Sequence, residues 1–225
     1  MRIFKSQKSV FWQALLFAVL IFSLGLLLGY GLENMRVKSI ERFNERSTFY
    51  LLDAKIQNEL YSFSDINCET AYKNNLDFSN KVYEDFRKLE KYDSANKLSD
   101  DILFEHSKYD LLRALFWTTT LRIKESCNIS IPNVVYLYSY TNPSLQIRAK
   151  QDVFAQYLHE LQENKKDKFL LIPLAGDNRV ASVNFLMNNF NITEEELPVI
   201  LLDEKIKISK IDELDKIKAY LDSLH

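Results

Sequence analysis

The sequence predicts a chain in three parts: one N-terminal transmembrane helix, a module of about three helices, and a C-terminal α/β domain with the order βαβαββα. Three observations carry this. Residues 10–32, VFWQALLFAVLIFSLGLLLGYGL, hold no formal charge. Apolar residues then recur at helical spacing up to Pro132, and beyond it compact β-branched and aromatic runs alternate with helical stretches. The expected boundaries are a cytoplasmic tail at 1–9, the anchor at 10–32, the helical module at 33–130 and the α/β domain at 131–225.

The anchor comes first. At about 1.5 Å per residue the uncharged run spans a hydrocarbon core of roughly 30 Å. Its length, and its exit through Leu-Gly-Tyr-Gly-Leu-Glu without an A-x-A-like site, predict an uncleaved anchor. Arg2, Lys5 and Lys8 precede it. The far flank mixes Glu33, Glu41 and Glu45 with Arg36, Lys38, Arg42 and Arg46. The orientation rule counts Lys and Arg and largely ignores acids, so charge alone leaves the orientation open. Gly25 and Gly29 form a small-xxx-small pair, read either as a seam for a homo-oligomer or as the ordinary glycine content of membrane helices.

The remaining chain has the composition of a folded body. Hydrophobic residues make up 47% and aromatics 13%. With 29 basic against 31 acidic residues the net charge is -2, which gives no broad attraction for nucleic acid. Only 4 Gly and 4 Pro occur, which favours long helices.

Phe49, Leu52, Ile56, Leu60 and Phe63 mark one face of a helix expected to continue from the anchor. Phe78, Val82, Phe86 and Leu89 mark a second, over about 69–90. Ser99 is placed to cap a third, whose apolar face is Tyr109, Leu112, Phe116 and Ile123, broadened by Leu111, Leu115 and Trp117. Cys68 opens the second helix and Cys127 closes the third. In an antiparallel hairpin both fall at the same end, where a bridge would close a loop of about 60 residues and stabilise the fold by roughly 4 kcal/mol. An isolated pair of this kind fits a disulfide in an oxidising compartment, and so an extracytoplasmic body. The other readings are two buried thiols in a cytosolic domain, or a thiol-disulfide couple serving a partner oxidoreductase.

After Pro132, residues 134–139 (VVYLYS) read as a buried strand. A Thr-Asn-Pro-Ser turn and a helix to about Glu163 follow. A second strand at 169–174 (FLLIPL) leads through Gly176-Asp177-Asn178 into a helix over Val180, Phe185, Leu186 and Phe190. A strand at 198–202, a short strand at 206–208 after an Asp-Glu-Lys turn, and an amphipathic helix through Ile211, Leu214, Ile217, Tyr220 and Leu221 close the chain.

That order, with Leu197-Pro198 opening the third strand, resembles a thioredoxin-like domain over roughly residues 132–225. The layout of the whole chain is similar to archaeal membrane-anchored proteins of the thioredoxin-like, thiol-disulfide oxidoreductase type. The resemblance implies a cis-proline at Pro198. It also implies an active-site loop after the first strand, where those relatives carry Cys-Pro-x-Cys. This chain has Tyr-Thr-Asn-Pro-Ser-Leu-Gln at 140–146, so Thr141, Asn142, Pro143, Ser144 and Leu145 form a degenerate loop. No cysteine occurs from Asn128 to His225, and thiol-disulfide exchange needs an attacking thiolate. The expectation is a redox-inactive domain that needs no cofactor and holds another protein or a peptide at the edge near Pro198 and Asn142 to Leu145, as a scaffold or folding assistant. A sensor or assembly subunit is the further alternative.

Other constellations are weak. His106, His159 and His225 are dispersed, so no metal site is expected. Asp101 and Glu105 lie one turn apart but are expected on a solvated helix surface. Gly176 stands alone, without a phosphate-cradling pattern. Asn128-Ile129-Ser130 and Asn191-Ile192-Thr193 fit the N-glycosylation triplet, reachable if the body lies outside.

Overall fold

The computed structural model describes residues 7–61, 66–93, 100–165, 168–178 and 180–224. Arg2, Lys5, Phe63, the expected cap Ser99 and His225 lie outside the described residues, as do the side chains of Lys8, Arg36, Leu89 and Asp101. The chain divides into two compact units, Met1–Glu45 and Arg46–His225.

The first helix, α1, runs Gln7–Leu60. Within it Val10–Met35, with a mean hydropathy of 2.4, is long and apolar enough to cross a membrane. No backbone-breaking residue interrupts it.

In the second unit, α2 (Cys68–Asp93) and α3 (Asp100–Cys127) form the expected hairpin. Phe78, Val82 and Phe86 of α2 and Tyr109, Leu112, Phe116 and Ile123 of α3 are all buried, as their spacing predicts. A buried hydrogen bond from Asn75 Nδ2 to Thr120 Oγ1 (2.8 Å) fixes the pairing of the two helices. The Sγ atoms of Cys68 and Cys127 lie 2.03 Å apart, at disulfide distance, and tie the start of α2 to the end of α3.

The α1 segment of this unit departs from expectation. Its apolar stripe faces solvent: Phe49 is 65% exposed, Leu52 59%, Ile56 52% and Leu60 53%. The packed face is instead Ser47, Tyr50, Leu51 and Ala54. Polar anchors select it. Arg46 pairs with Asp85 at 3.1 Å, Ser47 Oγ donates to Glu105 at 3.4 Å, and Arg122 Nη1 donates to the Asn58 carbonyl at 2.8 Å. Glu105, expected on a solvated surface, is therefore buried, with Lys108 beside it at 3.1 Å.

The sheet has the order β2-β1-β3-β4. Strand β1 (Asn133–Tyr138) pairs in parallel with β2 (Leu170–Ala175) and antiparallel with β3 (Val199–Leu202), which pairs antiparallel with β4 (Ile206–Ile208). Alternation along the strands sorts the side chains to two faces. Val135, Leu137, Ile172, Leu174, Val199 and Leu201 join α3 and α5 (Ala181–Asn189) in one core. Val134, Tyr136, Ile200, Leu202 and Ile208 join α4 (Leu145–Asn164) and α6 (Asp215–Ser223) in another. The central strands are buried on both faces, which is why they read as unbroken apolar runs.

Helix α3 is shared between the hairpin and the sheet. Its Trp117 stacks on Phe190 with centroids 5.3 Å apart, and the indole Nε1 donates to Glu204 Oε1 at 2.7 Å. Lys124 pairs with Asp203 at 2.5 Å. Asp203 and Glu204 form the β3–β4 turn, both in the left-handed region at φ 49° and 58°. That conformation costs a non-glycine residue on the order of 1 kcal/mol, and here the side chains of both turn residues are held by α3.

Candidate functional site

Because β1 and β2 are parallel and β3 runs against them, three chain segments meet at one edge of the sheet. These are residues 139–144 after β1, 176–178 after β2, and Leu197-Pro198 ahead of β3. Loops at the carboxyl ends of strands are where α/β sheets most often place a ligand.

The loop after β1 is held by two side chains. Asp177 accepts from Ser139 Oγ at 2.7 Å, from the Tyr140 amide at 2.7 Å and from the Thr141 amide at 2.9 Å. Gln151 of α4 donates to the Ser139 carbonyl at 3.1 Å and accepts from the Ser139 amide at 3.0 Å. The Gly176 amide donates to the Tyr138 carbonyl at 2.8 Å. A Cβ on Gly176 would stand 2.9 Å from Leu197 Cδ1, so the glycine lets the β2 loop lie against the residue before the proline. The Leu197-Pro198 peptide bond is cis.

Residues Thr141 to Leu145 occupy this edge. Ser144 caps α4, accepting from the Ile147 amide at 3.2 Å. Thr141 and Asn142 are exposed, and so is Leu145, at 84%. Pro198 is itself buried. A chain docking here would meet Thr141, Asn142 and Leu145 and would not meet the proline ring.

Beside the loop lies a cavity of about 290 Å³ lined by Phe86, His106, Arg113, Tyr138, Tyr140 and Gln151 among others. Its wall is a stack. Tyr140 lies against His106 at 4.3 Å, His106 meets Phe86 edge-on at 5.3 Å, and the Arg113 guanidinium sits 3.8 Å over the Phe86 ring. Tyr140 of the loop is thereby fixed to α2 and α3. Asp110 of α3, 1% exposed, accepts from the Ala175 amide at 3.2 Å and from the Asn178 side chain, and pairs with Arg113 at 3.5 Å. Burial pushes the Asp110 carboxyl up to about 6, against the opposing pull of Arg113 and its hydrogen-bond donors. Burial likewise drives the Tyr136 hydroxyl well above its usual range.

This arrangement presents an ordered loop, an exposed leucine and an aromatic cavity, and no thiol. The two cysteines of the chain are both in the Cys68–Cys127 pair at the far ends of α2 and α3. The other residues singled out in the sequence lie apart from the edge. Asn128 and Asn191 are exposed, both in the left-handed region at φ 52° and 53°, which asparagine tolerates. Gly25 and Gly29 lie in the apolar span, where an added Cβ would meet no atom of the chain within 4 Å. His159 is exposed near Glu163, and among the described residues no three His, Cys, Asp or Glu side chains come together.

Asp177, Gln151, Asp110 and the His106–Tyr140 stack were not singled out from the sequence. Only the Gly176-Asp177 pair directly after a strand carried a signal, since Asp in such a turn is placed to accept from nearby amides. Compared with protein-family models, curated proteins and solved structures, the chain matches none of them.

Proposed function

We propose that the chain is a membrane-anchored, extracytoplasmic, redox-inactive protein with a thioredoxin-like body, which binds another protein at its sheet edge as a scaffold or folding assistant. The mixed sheet of order β2-β1-β3-β4, the helix after β1 and the cis bond ahead of β3 support the thioredoxin-like reading. The paired cysteines support an oxidising compartment, and the apolar span of α1 supports the anchor.

The observation that carries the function is the loop at 139–145. It stands where the thioredoxin-like resemblance places the catalytic thiols, it has none, and it is nonetheless fixed by Asp177 and Gln151 with Leu145 projecting into solvent. Rigid, exposed loops with an apolar tip suit recognition of a chain, because ordering has already been paid before binding.

The test is a photo-activated cross-linking residue at Leu145 of the full-length protein in its native membrane. A discrete adduct with one protein, absent when the same residue replaces the exposed Lys218, is the expected result. Labelling with no discrete adduct, or equal labelling at both positions, rejects the proposal. In parallel the protein should not accelerate reduction of insulin, and acceleration that is lost in a Cys68→Ser/Cys127→Ser variant would assign an oxidoreductase role instead.

A further inference from the structure

The segment of α1 from Arg46 to Leu60 is apolar on two opposite sides. One side, Tyr50, Leu51 and Ala54, packs into the body. The other, Phe49, Leu52, Ile56 and Leu60, faces solvent with at least half of each side chain exposed. A surface helix in a finished structure is apolar on one side, and a helix apolar all round is covered all round. The exposed positions follow one another by 3, 4 and 4 residues, which places all four on one face of the helix. Next to the stripe runs a groove of about 620 Å³ whose lining includes Leu51, Leu111, Leu115 and Phe185, the last 71% exposed, together with Lys55 and Glu59.

We infer that this face is the contact between two copies of the chain. The area supports it: the stripe and Phe185 together expose roughly 600 Å² of apolar surface, at the upper end of the largest patch a typical monomer shows and approaching the roughly 800 Å² that each partner contributes to a standard interface. The four stripe residues carry no charge, and the exposed Lys55 and Glu59 beside them bring one charge of each sign, so an identical surface can meet this one with the two paired across a two-fold axis. Two copies confined by their anchors to one bilayer also meet at a high effective concentration, which lets an interface of this size hold. Leu145 opens α4, on the face of the sheet opposite to α3 and α5, so the contact leaves it open.

Single cysteines placed at Leu52 and at Ile56 of the full-length protein in its membrane, with the native pair retained, test the inference under mild oxidation. Both positions should give a disulfide-linked dimer of the chain in high yield, at least tenfold above a cysteine at the exposed Lys218. Uniform yield at all three positions, or none at any, overturns it, and so does a cross-link only to a different protein.

A second variant, Ile56→Glu, removes the complementarity at a side chain that the folded monomer leaves exposed. Energy transfer between donor- and acceptor-labelled copies in one bilayer should fall to the level of a non-associating control, while the circular dichroism of the variant keeps the folded helix content. A dimer that persists in Ile56→Glu but is lost in Gly25→Ile/Gly29→Ile would place association in the membrane helix and reject the α1 stripe.

Discussion

Replacing Asp177 with Ala removes a carboxylate that accepts three hydrogen bonds at 2.7, 2.7 and 2.9 Å from the loop after β1. Hydrogen bonds to a charged group contribute about 1.5–3 kcal/mol each when their donors are shielded from water. Thr141 is exposed and the Ser139 hydroxyl is only half-buried, so water replaces most of what those two donors lose. The Tyr140 amide carries the main cost. Release of the loop also returns about 1 kcal/mol of backbone entropy per freed residue, which offsets part of it. The net expectation is a loss of about 2 kcal/mol, or roughly 4–8 °C in thermal midpoint for a unit of this size. Hydrogen exchange locates the change: amides at 139–142 should lose protection while those of β1 and β2 keep theirs. Asp177→Asn, which keeps one acceptor oxygen, should fall between. Unchanged protection at 139–142 together with an unchanged midpoint would refute the assignment of Asp177 as the residue that orders this edge.

Three further outcomes are expected. Breaking the Cys68–Cys127 pair by serine substitution at both positions opens a connection of 59 residues, which should lower stability by about 4 kcal/mol and the midpoint by on the order of 10 °C; a shift under 2 °C would show that the pair does not constrain the fold. Glu204→Ala leaves the buried Trp117 Nε1 without its acceptor and frees Asn133 Nδ2, and calorimetry should register a loss of about 2 kcal/mol, whereas a neutral effect would mean the strained turn gains nothing from α3. The carboxyl of Asp110 titrates near 6 when folded against 3.8 in the open chain, so its charging weakens the fold as pH rises toward 6 and the penalty, about 3 kcal/mol when complete, is relieved on acidification toward 4. Stability of the native chain relative to Asp110→Asn should therefore improve between pH 7 and pH 5, and a pH-independent difference would contradict the buried ionisation.

The regular elements were legible because each follows a local rule. The 3.6-residue spacing of Phe78, Val82 and Phe86 and the unbroken runs at β1, β2 and β3 are written within a few residues of one another. The hairpin of α2 and α3 was also within reach, since the cysteines mark its two ends. What local spacing does not carry is which partner a face meets. The stripe from Phe49 to Leu60 is apolar in the sequence, yet polar contacts from Arg46, Ser47 and Asn58 to α2 and α3 turn it outward. In the same way the bond from Trp117 to Glu204 joins residues far apart in sequence, and the role of α3 as a wall of the sheet follows from that contact and from Asp110. The loop at Thr141 to Leu145 was found as an irregular segment with a turn. Its order comes from Asp177 and Gln151, which no spacing rule connects to it.

The measurement that tests the account most directly is the thiol state of Cys68 and Cys127 in intact membranes, read as mass after alkylation with and without prior reduction. An extracytoplasmic body with a structural bridge predicts no alkylation before reduction and two alkyl groups after it. Two alkyl groups without reduction would place the body in a reducing compartment and contradict the proposed topology.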